Sequence, residues 1–214
     1  MRTFEKLFVS IVILFATGLA HATFLDVVPH PDDVDTDSTL VLPTGASWSD
    51  PAPAILSGHI GGVSRSPFDG SGSSPDYGDA NNIFHWSIGT HALNNTSMSW
   101  LSFDADHASF SLVWGSPDAY NYIEFYNDST LVAAFSGTDI ITAGGQRAVS
   151  LALVTFTDLI FDHVKFISTR NAFEFSNIAA TVAVPGPSSL TLMLGVVGLL
   201  LLRRPRRASG NSKF

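Results

Sequence analysis

The chain has 214 residues and no cysteine, and eleven Lys and Arg oppose nineteen Asp and Glu for a formal net charge of −8. Residues 23–184 keep only Arg65, Arg147, Lys165 and Arg170 against eighteen of the nineteen carboxylates, a net of −14. Disulfides, thiolate catalysis and Cys-ligated zinc are excluded, and so acidic a piece repels nucleic acid and anionic lipid.

At the N-terminus Arg2 and Lys6 precede an apolar run over residues 7–19, followed by Ala20-His21-Ala22. This is the order of a signal peptide, residues 1–22, with Ala20 and Ala22 marking the cleavage site and Thr23 opening the mature chain. The 162 residues from 23 to 184 then suit one exported domain whose core can be held by burial alone.

Residues 23–82 form its first part, rich in Pro, Gly, Ser and Asp, with turn signals at Pro51-Ala-Pro53, Gly61-Gly62 and Ser66-Pro67. Short strands are predicted at 39–42 and 55–63. Asp33-Val-Asp35-Thr-Asp37 has the alternating carboxylates of a calcium loop. Ser38 and Thr44 stand where an EF-hand needs Gly and Glu, so what remains is a looser calcium site or a solvated acidic strap. His30-Pro31-Asp32-Asp33 resembles the zinc motif of the N-acetylglucosaminyl deacetylases, but no two histidines stand three apart and the chain that follows reads as β, so zinc is not expected.

Residues 83–184 alternate apolar and polar residues in short runs, with no convincing helical period. The runs are Phe84, Trp86 and Ile88; Phe110, Leu112 and Trp114; Ile123 and Phe125; Leu131, Ala133 and Phe135; Val149, Leu151 and Leu153; Val164 and Phe166; Phe173 and Phe175. Period two in β-branched and aromatic residues predicts an all-β domain, an antiparallel β-sandwich or jelly roll, with Trp114 in the core. Asp104-Ala-Asp106-His107 reads as a polar turn between two strands, with Asp104 and Asp106 as further candidate metal ligands. Glu124 and Glu174 alternate with inward aromatics and are expected to face solvent. No nucleophile motif is present, and no catalytic residue is assigned.

Residues 110–126 read F-S-L-V-W-G-S-P-D-A-Y-N-Y-I-E-F-Y. Gly115 permits an unusual backbone angle, Pro117 presets a turn and Asp118 can cap it. One reading is a loop where Asp118, Tyr120 and Asn121 meet a sugar; the other is a tight hairpin without a ligand. The strand, W-G-S-P-D-x-Y-N corner and second strand resemble the recurring core of a group of exosortase-dependent surface proteins, with weaker echoes at residues 65–70 and 171–178. Ser176 stands where that group often has Asp. The resemblance implies location and fold and carries no activity.

After Val184 come Pro185, Gly186, Pro187, Ser188 and Ser189, an apolar run over 190–202, and then Arg203, Arg204, Arg206 and Arg207. The prolines block a helix upstream, a serine can cap one, and the arginines hold the far end in the cytoplasm. Thirteen apolar residues reach only roughly 20 Å, a marginal span. Residues 185–207 resemble the PEP-CTERM sorting signal, with Gly186 in place of its Glu; residues 208–214 are left as a cytoplasmic tail. The resemblance implies exosortase as a partner during sorting, membrane contact through residues 188–202 before processing, and delivery to the cell surface or extracellular matrix, with exopolysaccharide as a further partner. A plain tail anchor is the alternative. The expected function is thus a non-enzymatic exported matrix protein, without cofactor unless calcium binds; a calcium-dependent lectin-like module and a secreted carbohydrate-active enzyme are its rivals.

Overall fold

A computed structural model describes residues 23–69, 77–90, 97–145 and 151–184. The expected signal peptide with Ala20 and Ala22, and the stretch beyond Val184 that resembles a sorting signal, lie outside the described residues, as does Val149. Among the described residues no helix is long and apolar enough to cross a membrane.

The alternating runs become strands β1 (Phe24–Pro29), β2 (Ala46–Trp48), β3 (Ala54–Ser57), β4 (Phe84–Ile88), β5 (Met98–Gly115), β6 (Asn121–Asn127), β7 (Thr130–Ser136), β8 (Leu151–Thr157), β9 (Phe161–Ser168) and β10 (Phe173–Val182). All pair antiparallel. They form one sheet in the order β3-β4-β10-β5-β9-β6-β7, with β2 and β8 also on β5, and β1 on β8.

The 18-residue β5 is the axis. Its second half lies between β10 and β8, and its first half between β9 and β2. The sheet curls along it, so strands that share no ladder meet through their inner faces. Trp48 of β2 stands edge-on to Trp86 of β4 with centroids 5.7 Å apart, and Phe166 of β9 stacks on Phe175 of β10 at 4.4 Å. Phe110, Leu112, Trp114, Phe125, Phe156 and Phe161 complete this core without exposed surface. Aromatic pairs at such distances add attraction to what their burial contributes.

Several local expectations need correcting. Residues 39–42 form no strand, and the strand expected at 55–63 ends at Ser57, leaving a single bridge between Ile60 and Ser64. On β8 the core face is Ala152, Val154 and Phe156, the parity opposite to the predicted one. Leu151 packs instead with Phe68, Ile83 and Val113 in a second cluster on the outer face. Where the N-terminal segment covers that face, a strand is buried on both sides and period two no longer separates inside from outside.

Asp104-Ala105-Asp106 is no turn. It lies within β5, where the pairing with β9 shifts register between Ser102 and His107. Helix α1 (Gly137–Ala143) was not predicted, since seven residues are too short to show a 3.6-residue period. It begins at a capping box in which Ser136 and Asp139 satisfy each other's backbone N–H.

Candidate functional site

The chain leaves β5 through a corner whose backbone strain sits one residue later than predicted. Ser116, not Gly115, has a positive φ of 48°. Gly115 is required by packing: a Cβ there would come within 2.7 Å of Pro67. The turn closes when the Asn121 N–H donates to the Asp118 carbonyl at 2.9 Å. The Tyr120 hydroxyl donates to Asp118 Oδ2 at 2.7 Å, with the Asn171 carbonyl 3.1 Å away. The Arg170 guanidinium lies 5.8 Å from the centre of the Tyr120 ring. Burial first, and then the bond to Asp118, push the Tyr120 phenol well above its ordinary range.

This corner, the loop from His59 to Arg65 and the stretch from Asn171 to Glu174 enclose a cleft of about 260 Å³. Asn171 Nδ2 donates to the Gly62 carbonyl at 2.7 Å and ties two of its walls together. The three segments that carry the resemblance to exosortase-dependent surface proteins therefore meet here. Pro67 lies against Gly115, the Arg65 N–H donates to Glu174 Oε1 at 2.8 Å, and Asn171 faces Tyr120.

Glu174 corrects a second expectation, because it does not face solvent and is only 3% exposed. It pairs with Ser87 and Gly115 on the neighbouring strands, and the loop at Ser64 and Arg65 roofs over the carboxyl. Burial raises its pKa to about 7, opposed by the hydrogen bonds from Arg65 and Ser64. The Ser64 hydroxyl also lies 3.0 Å from Nε2 of the fully buried His85. Burial lowers the pKa of His85 to about 4, and its Nδ1 has no hydrogen-bond partner among the described residues. Glu124, by contrast, does face outward; it accepts from the Tyr126 hydroxyl at 2.8 Å and lies 3.6 Å from Lys165 Nζ.

Of the three residues predicted to meet a sugar, Asp118 and Tyr120 line the cleft. Asn121 has no exposed surface, and its amide is engaged: Nδ2 donates to the Ala172 carbonyl at 3.0 Å and Oδ1 accepts from Ser168 at 2.7 Å. It braces the cleft floor instead of reaching into it. Sequence reasoning missed Glu174, Ser64 and Arg65, whose nearness depends on a loop folding back over β10.

The candidate metal ligands fall in two stretches, residues 33–37 and the middle of β5. Asp35 accepts from the Asp37 and Ser38 N–H groups at 2.9 and 3.3 Å, an Asx-type turn, and the Ser38 hydroxyl and these amides hold its carboxyl below the usual range. Asp33 and Asp37 are exposed beside it. Asp104 lies over Gly45, and Asp106 accepts from Asn127 at 3.4 Å. His107 turns inward, its ring 4.3 Å from that of Phe103. Among the described residues no three His, Asp or Glu side chains converge as a metal site. In comparisons with known proteins, no family model, curated protein or solved structure matches the chain.

Proposed function

We propose that this is an exported, non-enzymatic surface or matrix protein, trimmed at both ends, whose β domain holds a saccharide unit in the cleft at the Asp118 corner. The observation that carries the reading is the convergence of the loop from His59 to Arg65, the corner from Ser116 to Tyr120 and the stretch from Asn171 to Glu174 on one small cleft. Its volume suits a single sugar ring, Tyr120 supplies an aromatic wall, and Asp118, Asn171 and Ser64 supply hydrogen-bonding groups. We read the two ends of the curled sheet as the layers of a β-sandwich, a reading supported by the ring contacts of Trp48 with Trp86 and Phe166 with Phe175. Exosortase is the processing partner, membrane contact through residues 188–202 precedes processing, and exopolysaccharide is the matrix.

Intact-mass analysis of protein recovered from the cell surface tests the export half of this reading. The expected mass begins at Thr23 and lacks Arg203, Arg204, Arg206 and Arg207. Retention of residues 203–214 would replace exosortase processing with a plain tail anchor. Titration with methyl glycosides followed by NMR tests the cleft, and Asp118→Asn should weaken binding about tenfold, the effect of one charge-assisted hydrogen bond.

One observation favours a carbohydrate-active enzyme as second reading. A glycosidase needs two carboxyl groups in one site, one of them with a raised pKa, and Glu174, at about 7, shares the cleft with Asp118. Against it, the Glu174 carboxyl is roofed over and already accepts from Arg65. Turnover of an oligosaccharide that Glu174→Gln abolishes would establish the enzyme.

A further inference from the structure

Alternation places Trp100 of β5, His163, Lys165 and Ile167 of β9, and Tyr122, Glu124 and Tyr126 of β6 on the face of the sheet opposite to the core. The solvent face of a sheet is normally polar, yet this one carries a Trp, two Tyr and an apolar edge. The register sets it out as a grid in which Met98, Ile167 and Tyr122 form one row, Trp100, Lys165 and Glu124 the next, and Ser102, His163 and Tyr126 the third. Trp100 and Tyr126 start on opposite sides of β9 and meet across it, with ring centroids 5.0 Å apart. The Lys165 ammonium packs 5.2 Å from the Trp100 ring centre, and His163 lies edge-on to the same ring at 6.4 Å. These supports hold both rings in place before any ligand arrives, and Tyr122 and Met98, 38% and 46% exposed, extend the surface along the strands.

Lys165 and Glu124, in the middle row of this face, pair at 3.6 Å and cancel each other's charge, and His163 Nδ1 lies 2.7 Å from Asp162 Oδ1. The exported piece as a whole carries −14, so it repels polyanions, while a polycation would find stronger partners elsewhere on it. The Trp100 and Tyr126 ring planes are tilted 53° to each other, and a ligand matched to such a strip, whose Lys165 and Glu124 charges cancel, is itself neutral and presents C–H groups to the negative ring faces.

We propose that the outer face of β5, β9 and β6 is a binding platform for an extended neutral glycan chain, with Trp100 and Tyr126 stacking against pyranose rings and Glu124, Lys165 and the Tyr126 hydroxyl meeting ring hydroxyls. The proposal rests on the saccharide reading above but uses a different surface from the cleft. The cleft takes one ring; the platform takes a run of them.

The test is retention of the full-length chain, in detergent, on three insoluble neutral glycans, cellulose, curdlan and chitin, with alginate beads as the polyanionic control. Retention on at least one neutral glycan is expected, and it should fall at least tenfold in Trp100→Ala and in Tyr126→Ala while Trp100→Phe restores most of it. Melting curves check that each variant is folded, and Tyr126→Ala carries the test should Trp100→Ala not fold. No retention of the parent on any of the three, stronger retention on alginate, or alanine variants retained like the parent would each overturn the platform. Methyl glycoside titration reads the cleft separately, so either site can fail alone.

Discussion

Glu174 and His85 meet the same Ser64 hydroxyl, and burial moves them in opposite directions. Glu174 rises from 4.5 to about 7, so its contribution to stability is complete below 4.5 and is lost as pH rises through 7. His85 falls from 6.5 to about 4, so its contribution is complete above 6.5 and is lost as pH falls through 4. Between these limits folding in effect takes a proton from His85 and gives one to Glu174, and the two slopes oppose each other. Each single variant should unmask the slope of the residue it leaves. Relative to the parent, the stability of Glu174→Gln should rise with pH from 4.5 to 7, the window in which the parent loses the Glu174 contribution, and that of His85→Gln should fall from 4 to 6.5, the window in which the parent gains the His85 contribution, each by on the order of 3 kcal/mol. Melting curves across that range at constant ionic strength check it, and parallel profiles for parent and variants would contradict the pairing. Trp114 is the simpler case. It has no exposed surface and stacks on Phe173 at 4.3 Å, so Trp114→Ala should cost about 3 to 5 kcal/mol in urea unfolding. That position was legible in sequence because Phe110, Leu112 and Trp114 do share the core face. Glu174 was not legible. F-E-F reads as alternation until a distant loop covers the second face.

At the scale of elements β5 decides most of the architecture, and its middle is where the sheet changes neighbours. Asp104 lies over Gly45, whose φ of +77° and lack of a side chain make the contact: a Cβ there would overlap the Asp104 carboxylate. Gly45→Ala should therefore destabilise by about 1 to 3 kcal/mol, through backbone strain and displacement of Asp104. Urea unfolding measures it, and an unchanged midpoint would mean that the β2 connection is not pinned at this point. Asp104, Ala105 and Asp106 look like a turn in sequence because polar residues interrupt an apolar run. A register shift within one long strand interrupts the run in the same way, and only the pairing partners on either side tell the two apart. For helix α1 the capping box at Ser136 and Asp139 was the available signal, without enough length behind it to show a period.

The whole molecule is governed by its charge. Four cations against eighteen carboxylates in residues 23–184 should make the melting temperature rise with added NaCl, as screening relieves self-repulsion. Calcium at matched ionic strength should add nothing beyond magnesium. A saturable rise specific to calcium, abolished by Asp33→Ala or Asp104→Ala, would follow RT ln(1 + [L]/Kd) and promote the calcium-dependent binder over the reading adopted above.

Sequence alone determined the mostly antiparallel β character, the burial of the aromatic faces around Phe110, Trp114, Phe166 and Phe175, and the concentration of negative charge between residues 23 and 184. These follow from local alternation and composition, which need no knowledge of neighbours. The curl of the sheet about β5, the second cluster around Phe68, the burial of Glu174 beside Ser64 and His85, and the meeting of Trp100 with Tyr126 were decided only by tertiary structure. Each joins residues far apart in the chain, and burial on both faces of a strand, or exposure of an aromatic ring, depends on what the fold lays against it.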